Sequence, residues 1–225
     1  MRIFTDFKEA IPEIKRDLAE MGIKIHTETY QDKYIKDDPN METLEIQNYS
    51  YLVTHPFLQH LDVKNPEWAE REFLERINPK RLNPGEAWKL RKDTWEQFLE
   101  EDGRFSYTYS SRLSWQIDGI IERLKADPNS RQLYLAMWNP EIDLQRLGER
   151  RVPCSLGYWF NFRKDRLNVT YLMRSCDMNE HLLYDIYLAV KIMQYIATKA
   201  GVRPGNFCQW VGSFHVFKKD VEGVF

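Results

Sequence analysis

The chain has 225 residues, is 43% hydrophobic and 14% aromatic, and carries a formal charge of −2. That length and apolar content suit one domain over residues 1–225 with a sizeable core. The near-neutral charge excludes a broad electrostatic attraction to nucleic acid or to a membrane surface. The opening residues, MRIFTDFKEA, lack the apolar stretch of a secretory signal, and no run approaches the roughly 18 apolar residues of a membrane span. Cys154, Cys176 and Cys208 have no CxxC spacing and read as reduced thiols of the cytoplasm, and the scattered histidines speak against zinc.

Taken in chain order, Thr5 or Asp6 caps a first helix whose apolar positions Phe7, Ile11, Ile14, Leu18 and Met21 form a helical stripe ended by Gly22. Residues 26–42 are polar, carry Pro39-Asn40 and read as a loop. TLEIQNYSYLV (43–53) alternates but changes phase near Gln47-Asn48, which predicts a bulged strand. Asn65-Pro66 starts a helix running to about Ile77, with proline in the first turn after the cap. Pro84-Gly85 opens a segment with Trp88, Trp95 and Phe98. SWQIDGIIERLKAD (114–127) is an amphipathic helix with Trp115, Ile117, Ile120, Ile121 and Leu124 inward, and DPNS (127–130) turns the chain into the strand QLYLAMW (132–138). Two strands, 154–163 and 166–173, join at Lys164-Asp165. The helix 181–200 is apolar on nearly every side and belongs at the centre; Gly201 ends it, and a last strand covers 206–217. This mixture predicts an α+β fold.

A free cysteine such as Cys154, in an alternating strand, is ordinarily a packing residue. The order of several short motifs changes that reading. SRQ (130–132) is followed by Trp138-Asn139 and Pro153-Cys154; RSCD (174–177) comes twenty residues after the cysteine, then a helix with Asp185, then GSFHVF (212–217). In this order the chain resembles the thymidylate synthase and deoxycytidylate hydroxymethylase superfamily over residues 43–217, most strongly from 127 onward, and is most similar to the cytidylate hydroxymethylases. The resemblance implies a thymidylate synthase-like fold, a mixed β-sheet packed with helices, in a homodimer joined sheet to sheet.

It also implies roles. Cys154 is the nucleophile: a thiolate adding to pyrimidine C6 turns C5, otherwise a poor nucleophile, into an enolate-like carbon that can attack a one-carbon donor. Arg174 lies near its sulfur and the nucleotide phosphate, since an arginine fork matches phosphate and favours thiolate. Ser175 hydrogen-bonds the phosphate, and Arg131 reaches it from the partner subunit, although Gln132 stands where many relatives carry a second arginine. Lys33 is a further phosphate ligand or a solvated charge. Asp177 resembles the aspartate that contacts the folate pterin, where a carboxylate accepts from an amide and an exocyclic amine; it also suits a helix cap. His215 resembles the histidine at the sugar 3′-hydroxyl, and Phe217 replaces the usual tyrosine after it. NPEWAERE (65–72) nominates Glu72 as the glutamate that organises water and moves protons, with Glu70 and Glu75 close by. Tyr109 fits the active-site tyrosine better than Tyr107 by its spacing from Trp95, which then borders the folate site.

Eleven residues after Arg174, thymidylate synthases place an asparagine that accepts from N3–H of uracil and donates to O4; this chain has Asp185, as the phage hydroxymethylases do. A carboxylate has no N–H for O4, yet it accepts from the 4-amino group of cytosine and, with one shared proton, serves N3; an unpaired buried polar group costs about 1–3 kcal/mol. Ser155 stands where thymidylate synthases have histidine, again as in the phage enzymes. The expected activity is a cytidylate 5-hydroxymethylase in a bacterium or a phage-infected cell. It passes the one-carbon unit of 5,10-methylenetetrahydrofolate to C5 of dCMP and adds water, without a metal. The same reaction on CMP, thymidylate synthesis from dUMP, and a non-catalytic nucleotide-binding role are the alternatives.

Overall fold

The computed structural model describes residues 1–30, 33–144 and 151–220, with the backbone alone of Thr29, Tyr30, Lys33 and Tyr34. Its elements are β1 (Arg2–Phe4), α1 (Phe7–Met21), β2 (Ile23–Ile25), β3 (Thr29–Tyr30), β4 (Lys33–Tyr34), β5 (Thr43–Val53), α2 (Pro66–Arg76), α3 (Lys92–Trp95), α4 (Tyr109–Ala126), β6 (Leu133–Ala136), α5 (Pro140–Asp143), β7 (Ser155–Arg163), β8 (Arg166–Asp177), α6 (Leu182–Ala200) and β9 (Arg203–Phe217). A seven-stranded sheet runs β1-β5-β9-β8-β7-β6, with β2 also on β5. The β1–β5 and β8–β9 pairs are parallel and the others antiparallel, so the sheet is mixed. The inward residues of the strands join α1, α2, α4 and α6 in one core, with α6 central to it: Ile186, Leu188, Ala189, Val190, Ile192 and Met193 are buried. On the opposite sheet face, cross-strand register aligns Tyr134, Trp159, Thr170, Cys208 and Leu52 in one row. No described helix is long and apolar enough to cross a membrane.

Several expectations need correction. Asp6 caps α1 through Glu9 N at 3.1 Å, but Met21 is exposed, because the last turn already leads away to β2. The phase change in β5 is a left-handed residue, Asn48 at φ 56°, and the register on β9 is the same on both sides of it, so no residue is inserted as a bulge would require. The helix predicted over 114–127 begins at Tyr109, where Thr108 and Ser111 form a capping box. Trp115 faces outward beneath the Arg81 guanidinium, and Leu113 takes the inner position. The serines disguised the early turns: Ser110 and Ser114 are buried on the inner face. The stretch 26–42 contains the β3–β4 ladder and a 3-10 turn over Pro39–Met41, and the short β1 and β2 were not anticipated.

Two polar anchors hold the β6 end. Gln116 of α4 donates to Ala136 O (2.7 Å) and accepts from Ala136 N (3.0 Å), occupying backbone groups of the edge strand. Arg112 donates to both oxygens of Asp143 at 2.8 and 3.2 Å, and the Asp143 side chain is fully buried. Removing one member of such a pair strands a buried charge. Arg112→Ala is expected to lower unfolding free energy by about 3 kcal/mol in urea titrations, whereas Lys89→Ala, which breaks an exposed pair with Glu86, stays within about 0.5 kcal/mol.

Candidate active site

A pocket of about 590 Å³ opens between the sheet and α2, α4 and α6. Cys154 sits in it, half-buried, just before β7. Its surroundings follow from the β7–β8 hairpin. Lys164 and Asp165 both take positive φ, 52° and 59°, in the two-residue turn, and this pairs Ser155 with Met173 and Tyr158 with Tyr171. Arg174 N then donates to Cys154 O at 2.8 Å. The Arg174 side chain folds back: Nε and Nη2 donate to the carbonyls of Pro153 and Val152 at 3.0 and 3.2 Å, and Nη2 lies 3.8 Å from Cys154 Sγ. An arginine tied to two backbone carbonyls keeps its charge beside the sulfur. Its Nη1 donates to Ser175 Oγ at 3.1 Å, so these two polar groups converge on one side of the pocket.

Asp185 stands in the first turn of α6 and faces β8. Its Oδ1 accepts from Tyr171 OH (3.5 Å) and its Oδ2 from Cys176 Sγ (3.7 Å). Burial pushes its pKa up to about 7, against the opposing pull of Arg76, Cys176, Tyr171 and Arg91. Arg76 itself is buried: Nε donates to Glu72 Oε1 at 2.8 Å, Nη1 to Tyr158 OH at 3.3 Å, and its guanidinium lies 4.3 Å from the Tyr109 ring centroid. Glu72 therefore faces the pocket as one half of an i,i+4 pair on α2.

The three neighbouring glutamates separate cleanly. Glu70 turns away to Lys191 (2.9 Å) and Tyr187 (2.8 Å). Glu75 accepts from Glu86 N (2.5 Å) and Ala87 N (2.7 Å), and a Cβ on Gly85 would strike its carboxylate, so Glu75 is committed to clamping that loop. Asp177, at the end of β8, accepts from Asn179 N (2.9 Å) and Glu180 N (3.2 Å) through Oδ1, the turn-capping role. Among the described residues its Oδ2 is buried without a partner, and burial raises its pKa to about 6. His215 lines the pocket with Nδ1 3.3 Å from Ser213 O, which can only accept; burial lowers its pKa. Trp95 lines the pocket, stacked on Trp68, with Arg151 4.9 Å from its ring centroid. Arg131 is exposed and is not among the lining residues. The side chain of Lys33 lies outside the described residues.

The structure thus brings together Cys154, Arg174, Ser175, Asp185, Tyr109, Glu72, Asp177, His215 and Trp95. Sequence reasoning missed Arg76, Tyr158, Tyr171 and His181. Arg76 carried a signal, its i,i+4 spacing from Glu72; the two tyrosines look like ordinary inward strand positions. His181 stands at the N-cap position of α6 without a side-chain capping bond, and burial, then Arg91 and Arg151, lower its pKa to about 3.

Known proteins share this architecture. Thymidylate synthase A from Bacillus subtilis superposes with a TM-score of 0.77 over 98% of this chain and 83% of that one, at 21% identity, which defines a thymidylate synthase-like fold. The thymidylate synthase family model matches residues 76–225. A Methanosarcina mazei protein named "Putative thymidylate synthase" is 34% identical over 194 residues, 84% of this chain and 80% of its own length. A Methanocaldococcus jannaschii protein of the same name is 29% identical over 215 residues, 94% of this chain and 86% of its own. The chain belongs to the thymidylate synthase family.

The raised pKa of Asp185 has a thermodynamic consequence. Between its unfolded value near 3.8 and its folded value of about 7, the folded state holds a proton that the unfolded state has lost, so stability falls as pH rises through this window. Asp185→Asn removes that loss. Its stability relative to the parent chain is expected to rise by about 4 kcal/mol between pH 4 and pH 8 in urea titrations.

Proposed function

We propose that the protein is a cytidylate 5-hydroxymethylase, converting dCMP and 5,10-methylenetetrahydrofolate to 5-hydroxymethyl-dCMP and tetrahydrofolate. Asp185 carries the reading. A carboxyl poised at about 7 holds one proton part of the time near neutrality. Protonated, it donates to N3 of cytosine and accepts from the 4-amino group; if N3 takes the proton, both hydrogen bonds persist. Uracil offers O4, a much weaker base than N3, so the shared proton is poorly held there, and an ionised carboxylate opposes the O4 lone pairs. Methylation of dUMP is the alternative; the relatives above are named thymidylate synthases, two of them "Putative thymidylate synthase". Phe217, buried edge-on against His215 in place of a sugar-binding tyrosine, supports CMP as a second cytosine nucleotide.

In this reading Cys154 adds to C6 while Arg174 and Ser175 hold the phosphate and His215 the sugar. Asp185 passes its proton to N3 as the thiolate adds and recovers it when the thiolate is expelled. Glu72, oriented by Arg76, positions the water that becomes the new hydroxyl, and Tyr109 faces C5. The unpaired Asp177 Oδ2 suits the pterin amide and amine, with Trp95 along the folate, which supplies a one-carbon unit and needs no metal. The whole chain acts as one cytoplasmic catalytic domain in a homodimer joined through the Trp159 face of the sheet. Arg131, exposed at the β6 end of that sheet, reaches the partner's phosphate, and Lys33 is a further phosphate ligand.

Tritium release from C5-labelled dCMP, CMP and dUMP, with methylenetetrahydrofolate and mass analysis of the products, tests the activity. A hydroxymethyl product from a cytosine nucleotide is expected. A methyl product from dUMP alone would replace this reading with thymidylate synthesis. Cys154→Ser should bind nucleotide and lose turnover, and Asp185→Asn should shift preference toward dUMP.

The dimer has its own test. Arg131→Ala and Cys154→Ser are each expected to be inactive, but a mixed dimer carries one intact site. Mixing them should restore about a quarter of normal activity; no recovery from subunits shown to exchange would place Arg131 outside the partner's site.

A further inference from the structure

Behind the wall that joins Cys154 to Asp185 runs an unbroken line of hydroxyls. Ser155 Oγ lies 3.4 Å from Tyr109 OH and makes a short hydrogen bond with Tyr171 OH, which in turn lies 3.5 Å from Asp185 Oδ1. Ser155 and Tyr171 are fully buried. Tyr158 stacks on Tyr171 with ring centroids 4.5 Å apart and 5° between planes, and Arg76 covers the Tyr109 ring. The line is therefore closed along its sides and ends at two pocket residues, Tyr109 and Asp185.

We propose that Ser155 and Tyr171 connect Tyr109 to Asp185 as a proton path that carries the proton lost from pyrimidine C5 to the Asp185 carboxylate. The proposal rests on the reaction given above but not on which base is used, since C5 loses a proton in either case. Each hydroxyl has one hydrogen and two lone pairs, so the line has two polarities. As the C5–H bond breaks, its electron pair stays on the ring and the proton enters at the Tyr109 oxygen. Tyr109 passes its own hydrogen to Ser155, Ser155 to Tyr171, and Tyr171 to Asp185 Oδ1, which is empty because it has given its proton to the base edge, N3 of cytosine or O4 of uracil. Asp185 then loses the C5 proton to solvent, and so is empty again when the base edge returns the first one. Three O–H bonds break, three form between the protein groups and one forms at Tyr109; nothing is oxidised or reduced. Burial holds the ionisations of Tyr109 and Tyr171 well above the ordinary tyrosine value, so they transmit a proton without storing a charge. The two outer links are long for hydroxyl hydrogen bonds, and such links tighten when substrate closes a site.

Ser155 and Tyr171 are positioning residues in this scheme, and series connection is their signature. Tyr171→Phe keeps the ring on Tyr158, and Ser155→Ala keeps both tyrosines. Each is expected to slow C5 tritium release roughly tenfold or more, with nucleotide affinity changed by less than about threefold. The double variant should be no slower than the slower single, because a path is broken only once. In Tyr171→Phe the pH midpoint should also move upward, because a donor to the Asp185 carboxylate is gone. The other groups facing Asp185 remain: Arg76 from α2, Arg91, Cys176 from β8, Tyr158 from β7, Tyr109 from α4 and Tyr51 from β5.

Release within about twofold of the parent in either single variant, or losses that multiply in the double, overturns the path. Should a variant fail to fold, the parent enzyme decides: tritium release should curve against the deuterium fraction of the solvent, as several moving hydrogens require, and a straight line overturns the path. The assays use whichever of dCMP, CMP and dUMP the parent turns over, so an error in base assignment is seen separately. Turnover of none of them overturns both readings.

Discussion

The register of the β7–β8 hairpin is the constraint on which the site depends. Two left-handed residues, Lys164 and Asp165, close the turn, and the pairing they impose runs without change from Arg163–Arg166 back to Gly157–Leu172 before the irregularity at Ser155. A slip of one residue would turn every side chain to the other face. Tyr158 and Tyr171 would leave the core, and Arg174 would lose the carbonyls of Val152 and Pro153 that hold it beside Cys154. The twenty-residue offset from the cysteine to the arginine is set by the length of this hairpin, so their spacing in the chain is a statement about strand register.

Around that hairpin the pocket treats its carboxylates differently. Glu72 has a buried guanidinium at 2.8 Å, whereas Asp185 has no ion pair among the described residues and meets a tyrosine and a thiol. Burial without an ion pair raises the pKa of Asp185 to about 7, whereas Glu72 is held by the Arg76 guanidinium. Two acids in one pocket thus have different partners, the difference on which the proposed split between organising water and sharing a proton with the base rests. Arg76 links them, since it pairs with Glu72 and also opposes the rise at Asp185.

Much of the fold was legible from periodicity and punctuation. Asn65 before Pro66 marked α2, Gly201 in the left-handed region ended α6, and Lys164-Asp165 marked the hairpin turn. The beginning of α4 was hidden because its buried face carries Ser110 and Ser114, which an apolar pattern does not register. Trp115 misled in the opposite way: a large aromatic at a plausible helical position stacks under Arg81 on the surface. Short strands such as β1 and β2 have too few residues for alternation to be seen, and only their pairing on β5 defines them.

By itself, the sequence determined the secondary-structure types of the long elements, the motif order that marks the family, and the residue types from which a nucleophile, a phosphate ligand and a base-reading acid can be made. Those follow from local chemistry: a helix face repeats every 3.6 residues, a strand every two, and a motif is contiguous. Tertiary structure alone decided what each glutamate holds: Glu72 pairs with Arg76 at the pocket, Glu75 lines the same pocket but accepts from a loop backbone, and Glu70 pairs with Lys191. It also decided that Ser155, Tyr171 and Asp185, from three different stretches of chain, share one line of hydrogen bonds. Neighbours across strands and the burial that shifts a pKa arise from long-range packing, and no local pattern in the chain encodes them separately from the fold.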